Sequence, residues 1–250
     1  MPNPRSPKGV AGSLVLAAAC LAGPIPAAQA QALRTPHQIQ WYEAAIAAAG
    51  VSVFFLVDNP VRGYMLDHQS TGRDDAADIF RAVGQPEVWA LVPVVMMGTG
   101  LALKQPGLER AGLRAVTSAA LAGGVTAVLK EVFGRVRPNV EGSEPLDFKP
   151  FSGNASMPSG HTSAAFGFSA SLADDVRPLW AKVGLYALAT GTAWSRVYNN
   201  EHWTSDVVAG AIIGITSAKL VNGSWQVWGI RPPAIFSNGH EVTVSWQGTF

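Results

Sequence analysis

Charge is what this sequence has least of. Asp, Glu, Lys and Arg make up 14% of its 250 residues and hydrophobic residues 48%, where an ordinary soluble domain carries about 25% charged residues. That deficit implies a heavily buried helical core or contact with a membrane. The net charge is only +1, so no basic field marks a nucleic-acid partner. Cysteine occurs once, as Cys20, within an N-terminal stretch expected to be removed, which excludes disulfides and cysteine–metal sites from the mature chain. No repeat of 20–50 residues is visible, which excludes a solenoid. Uninterrupted apolar runs of about 20 residues, the length of a membrane span, are scarce as well. "VWALVPVVMMGTGLAL" and "AAIAAAGVSVFFLV" fall a little short, and Gly112 to Leu129 is interrupted by Arg114. Core helices of a bundle account for these segments at least as well as spans do.

What is present begins with an export-type signal. Arg5 and Lys8 precede "VAGSLVLAAACLAG", and "AQAQA" at Ala28 to Ala32 offers cleavage near Ala30 or Ala32. The domain reading is a signal over 1–32, a helical domain over 33–222 and a C-terminal tail over 223–250. Apolar periodicity predicts helices over 38–57, 86–104, 109–133, 161–174, 179–195 and 205–221. The fold class is therefore all-α, a bundle of about six core helices. A short terminal β-hairpin is expected around Asn-Gly in "AIFSNGHEVTVSW". The polar stretch "VDNPVRGYMLDHQSTGRDDAADIF" reads as a solvated connector in preference to a substrate lid. A parity problem accompanies the signal. If it is cleaved, three crossing helices would carry Lys130 to the cytoplasmic side, so a periplasmic site requires that the helices not span. The expected location is periplasmic after cleavage, in association with a membrane; the alternative is an integral inner-membrane protein with its site facing the periplasm.

Three charged clusters interrupt the apolar background. In "KEVFGRVRP", Lys130 stands near a helix end marked by Gly134. Arg137 precedes a proline and is pushed towards an extended conformation. Two cations from different backbone elements could thus meet one anion, or simply complement a helix C-terminus. In "MPSGHTSAAF", Ser159 and Gly160 open a small-residue helix whose free N–H groups suit an anion, with His161 at its mouth as a proton donor. An ordinary N-cap with a surface histidine is the plainer alternative. In "SRVYNNEHWTSD", Arg196 can clamp phosphate oxygens. Asp206 can hold one ring nitrogen of His202 and leave the other free to attack, across one helix face or from a preceding turn. A His–Asp capping pair is the alternative there. No further cluster of acidic or histidine ligands suggests a metal.

Together the clusters offer positive charge, an acid, a nucleophile and an orienting carboxylate, which are the needs of phosphoryl transfer. Lys130 with Arg137–Pro138, "PSGH" at 158–161, and Ser195–Arg196 with His202 and Asp206 resemble the three-part signature of the type 2 phosphatidic acid phosphatase and haloperoxidase superfamily, with every fixed residue in order and at its spacing. The resemblance implies a helical bundle with the motifs converging at one end. It implies that Lys130, Arg137 and Arg196, with Ser159 and the Gly160 backbone, bind phosphate, and that His202, oriented by Asp206, forms a phosphohistidine. His161 would then protonate the leaving group. It implies no metal or other cofactor, with vanadate as an inhibitor. The expected substrates are phosphorylated lipids, including pyrophosphates, or small phosphomonoesters. A vanadate-dependent haloperoxidase is the rival within the family, disfavoured by a mature chain of roughly 220 residues. A non-catalytic phosphate- or lipid-binding relative is the rival outside catalysis. Arg135 is an additional cation, expected to touch substrate or to be solvated.

Overall fold

The computed structural model describes residues 35–229 and, beyond them, the backbone of two strands. The export-type signal and its cleavage sites lie outside the described residues, as does the Asn-Gly turn. A two-residue strand β1 (His37–Gln38) leads into α1 (Trp41–Phe54), a 3-10 turn (Phe55–Val57) and α2 (Asp58–Asp67). Then come α3 (Thr71–Val83), α4 (Pro86–Ala102) and α5 (Pro106–Phe133). After a loop across 134–159 follow α6 (Gly160–Asp175), α7 (Leu179–Tyr198) and α8 (Thr204–Val221). The strand β2 (Trp225–Gln226) runs parallel to β1, with His37 opposite Trp225. The last strands, β3 (Ala234–Ser237) and β4 (Val242–Ser245), pair antiparallel as the expected hairpin. The fold is all-α, as its sequence pattern predicts.

The centre of the bundle is α6, buried along most of its length between α5, α7 and α8. Its sequence allows this because it alternates Ala, Ser, Thr and Gly, small residues that let backbones approach closely. A Cβ on Gly210 of α8 would sit 2.7 Å from the Ser159 carbonyl oxygen, and one on Gly214 2.5 Å from that of Ser163. Those two glycines therefore set the α6–α8 crossing, and with it the spacing of the second and third motifs. Larger side chains fill the space farther along, where Trp89 packs on Phe168 with ring centroids 4.8 Å apart among Val92, Met96, Leu108 and Leu185. The C-terminal ends of α5 and α7 share one end of the bundle with the N-terminal ends of α6 and α8, as the Lys130–Gly160 approach and the Ser159–Asp206 backbone bond show.

Two sequence expectations change. The stretch read as a connector folds as α2 and α3. Its Asp, Asn and Pro look like loop punctuation, but Asp58 to Pro60 form a first helical turn, where proline is tolerated. Tyr198 of α7 donates to Asp74 at 2.5 Å, and the Ser70 backbone N–H donates to the Tyr198 hydroxyl oxygen at 3.2 Å. The second change concerns spans. Trp41–Asp67, Pro106–Phe133 and Thr204–Val221 are each long and apolar enough to cross a membrane, and only 6% of the apolar window in the first is buried. Helices α3 and α4, bent by 51° at their junction, form a further candidate together. Arg114, which interrupts the apolar run of α5, lies 3.3 Å from the Asp175 carboxylate of α6.

Candidate active site

The first motif is placed by the end of α5. Gly134 takes a left-handed conformation (φ +54°) and its N–H closes on the Lys130 carbonyl at 2.8 Å. A Cβ there would lie 1.8 Å from the Lys149 carbonyl oxygen, so only glycine fits. The Lys130 side chain runs past Gly160, its Cε 3.8 Å from where a Cβ would stand, and its ammonium donates to the Ala155 carbonyl. Arg137 emerges from the loop beyond, partly exposed, with Nη1 3.4 Å from the Glu201 carboxylate.

Ser159 caps α6 from a fully buried position. Its carbonyl accepts from the Ser163 N–H and hydroxyl, each at 2.9 Å, and its hydroxyl oxygen accepts from Thr162 at 3.0 Å. The Ser159 N–H donates to the Asp206 carbonyl at 3.0 Å, locking the second motif to the third. His161, in the first turn, is pushed down to about pKa 4 by burial and then by the charges of Arg196, His202, Arg137 and Lys130.

The third motif spans a helix end and a turn. Arg196 lies in the last turn of α7, 3% exposed. Its Nη2 donates to Glu201, while its Nε is buried with no partner among the described residues. After Tyr198 the chain doubles back through Asn200 (φ +55°), so the N–H groups of Glu201 and His202 both donate to the Arg196 carbonyl, at 3.0 and 3.2 Å. Since α8 starts at Thr204, His202 meets Asp206 from the turn, with Nδ1 3.4 Å from Oδ2. Of the two approaches left open by the sequence, the structure takes this one. Burial, outweighing the attraction of Asp206, holds the His202 ring down at about pKa 4. Both histidines are thus neutral near pH 7, and His202 turns Nδ1 to the carboxylate, which leaves Nε2 free.

All eight residues singled out from the sequence stand at this end of the bundle, and other groups complete it. Arg135 neither faces solvent nor reaches towards substrate. It is fully buried, with Nη1 2.6 Å from Asp206 and 2.7 Å from the Ser205 hydroxyl, and Nη2 2.6 Å from Asp58. Asp206 also accepts from Ser156 at 2.5 Å and from the Trp203 N–H at 3.0 Å. Asp58, Ser156 and Glu201 were not singled out from the sequence. Asp58 had one signal, a lone carboxylate directly after the apolar "VFFLV". Among the described residues, no group of three or more His, Asp and Glu side chains is arranged to hold a metal ion.

Chemically, the arrangement has the parts to hold an anion beside an imidazole. Three cations and a helix N-terminus converge on one position, and a neutral imidazole oriented by a carboxylate stands beside it. A "Lipid A 1-phosphatase" of Porphyromonas gingivalis is 38% identical over 108 residues, 42% of this chain and 21% of that protein. A protein of Escherichia coli K12 named "Putative undecaprenyl-diphosphatase YbjG" is 31% identical over 105 residues, 42% of this chain and 52% of that one. The chain thus spans about half or less of the length of these curated relatives. The crystal structure of a transmembrane PAP2 type phosphatidylglycerolphosphate phosphatase from Bacillus subtilis superposes with a TM-score of 0.54 at 20% identity, over 70% of this chain and 94% of that one, a likeness of fold. Residues 111–229 match the PAP2 superfamily model. That stretch, just under half of the chain, carries Lys130, Arg137, Ser159 to His161, Arg196, His202 and Asp206, so the region that builds the site is similar to the PAP2 superfamily.

Proposed function

We propose that the protein is a metal-independent phosphatase that cleaves phosphomonoesters or diphosphates of membrane lipids through a phosphohistidine. One observation carries the reading: the Glu201 carboxylate already bridges Arg137 and Arg196, and the buried Arg196 Nε beside it has no partner among the described residues. A buried guanidinium N–H left unpaired is costly, and a tetrahedral phosphate offers the oxygens that would engage both arginines and that nitrogen together. The apolar helices and the relatives named above favour lipid substrates over soluble ones.

In the proposed reaction Lys130, Arg137 and Arg196 neutralise the equatorial oxygens, with the Ser159 hydroxyl and the Gly160 N–H completing the cradle. His202 Nε2 attacks phosphorus as the bond to the leaving oxygen breaks, and His161 gives that oxygen its proton. Water then attacks the phosphohistidine, returning a proton to His161 and releasing phosphate from His202. Neutral His161 together with a substrate monoanion carries the same proton as imidazolium with the dianion. The reactive combination therefore peaks between the histidine value of about 4 and the second phosphate pKa of about 6. kcat/KM is expected to be bell-shaped with an acidic optimum in that window.

We place the site on the periplasmic face of a membrane-embedded bundle. Counting the bent α3–α4 pair as one crossing, parity keeps Trp41 on the cytoplasmic side, which is incompatible with cleavage near Ala30 or Ala32; as a re-entrant pair it would leave cleavage and a periplasmic site compatible. The deciding assay measures phosphate release from p-nitrophenyl phosphate and phosphatidate across pH 3.5–8 in excess EDTA. Release that survives EDTA, is blocked by vanadate and peaks in the acid window is expected; loss in EDTA overturns metal independence. No release, with bromide oxidation once vanadate and peroxide are supplied, would turn the assignment to a haloperoxidase. Binding without turnover would leave a phosphate- or lipid-binding relative. Because Glu201 holds the arginines that phosphate must take, Glu201→Gln is expected to tighten inhibition by inorganic phosphate about tenfold. Unchanged inhibition would remove Glu201 from the seat.

A further inference from the structure

Arg135 and Asp58 form an ion pair with no exposed side-chain surface, far from each other in sequence and one step behind the reacting imidazole. Asp58 stands at the start of α2, yet its bonds go to α8. Oδ1 accepts the Ser205 N–H at 2.9 Å, and Oδ2 accepts the Ser205 hydroxyl and Arg135 Nη2, each at 2.6 Å. It thus supplies, from another helix, the acceptor that a helix N-terminus ordinarily takes from its own cap. Arg135 is held in plane by the Pro145 carbonyl, 2.6 Å from Nη2 and 2.9 Å from Nε, and packed by Phe55, with the guanidinium carbon 4.6 Å from the ring centroid. Its Nη1 takes Asp206 Oδ1, which turns Oδ2 to His202, where that oxygen also accepts from the Ser156 hydroxyl and the Trp203 N–H.

We propose that Asp58 and Arg135 are positioning residues for the nucleophile: they fix which oxygen of Asp206 faces His202 and set the charge that the imidazole sees. This rests on the reading of His202 as the phosphoryl acceptor. Two carboxylates and one guanidinium leave a single negative charge behind a neutral imidazole. When Nε2 binds phosphorus the ring becomes cationic, and that charge is balanced. A guanidinium paired only with Asp206 would cancel the carboxylate before reaction; Asp58 prevents this by sharing it. A buried ion pair is weak support for stability in itself, so what the arrangement provides is orientation and potential.

Asp58→Asn removes a negative charge and Arg135→Gln a positive one. The other groups facing His202, namely Lys130 from α5, Arg137 from the loop, His161 from α6, Arg196 from α7 and Asp206 from α8, are kept in both. The His202 ring titration, followed by NMR in the detergent-solubilised full chain, is expected to move down in Asp58→Asn and up in Arg135→Gln, each by about half a unit or more. kcat is expected to fall ~10–100-fold in both with KM within about twofold, and Arg135→Lys to recover little, because a single ammonium cannot hold both carboxylates. Binding of inorganic phosphate reports that the site is folded. If Arg135→Gln fails that check, the downward shift in Asp58→Asn decides alone. Shifts in the same direction, or none, with phosphate binding retained would overturn the proposal and leave a merely structural bridge. A wild-type protein that releases no phosphate would instead sink the phosphatase reading, while the ring titrations would still show whether Asp58 and Arg135 govern the charge at His202.

Discussion

His202→Ala is expected to lower phosphate release by ~10⁴-fold or more. The loss should be almost wholly in kcat, because Lys130, Arg137 and Arg196 still bind the phosphate. The residue lies 3% exposed, and its backbone N–H holds the turn through the Arg196 carbonyl at 3.2 Å. That bond survives the substitution, so the fold should survive too. Wild-type enzyme quenched in alkali during turnover of ³²P-labelled phosphatidate should carry an acid-labile label on His202, absent from the variant. A variant with more than a tenth of wild-type turnover, or a label elsewhere, would show that His202 is not the acceptor.

Arg196→Lys should cost ~10²–10³-fold in kcat/KM, about 3–4 kcal/mol of transition-state stabilisation. The substitution keeps the charge and loses the fork. Arg196 presents Nη2 towards Glu201 and an unpartnered Nε inside the protein, and a lysine ammonium cannot occupy both positions. The steady-state comparison with Lys130→Arg is informative, since Lys130 acts through one ammonium drawn towards the Ala155 carbonyl. A loss below about tenfold in Arg196→Lys would mean that charge alone suffices there.

The site was legible in the sequence because its chemistry is written in short motifs. Lys130 and Arg137 flank a glycine stop, Ser159 to His161 open a helix, and His202 and Asp206 sit four apart, and each pattern is local. The helices from Pro86 onward were also legible, with ends displaced by a few residues, because their apolar periodicity is strong. The partners that hold the motifs were not. Asp58 and Arg135 are 77 residues apart and Ser156 and Asp206 50 apart, and no local pattern encodes contacts made by packing α2 and the long loop onto α8. Helices α2 and α3 were missed for a related reason. Their stability comes from burying Ala77 and Val83 and from the Tyr198–Asp74 bond, while their composition looks like a turn. The spans were undercounted because each apolar run, taken singly, was short, whereas α1, its 3-10 turn and α2 form one candidate of 27 residues.

The parallel pairing of His37–Gln38 with Trp225–Gln226 fixes the two ends of the helical region as a landmark. Both lie beyond the C-terminal end of α8, and the His202–Asp206 pair lies at its N-terminal end. In a membrane the two locations would sit in different compartments. With Cys20 as the sole cysteine, a Cys20→Ser background makes every introduced thiol a unique reporter of sidedness. Cysteines placed at Ser224 and at the exposed Leu146 should react with an impermeant maleimide from opposite sides of a sealed vesicle. Whichever side labels Leu146 is the compartment from which a phosphorylated headgroup must be presented.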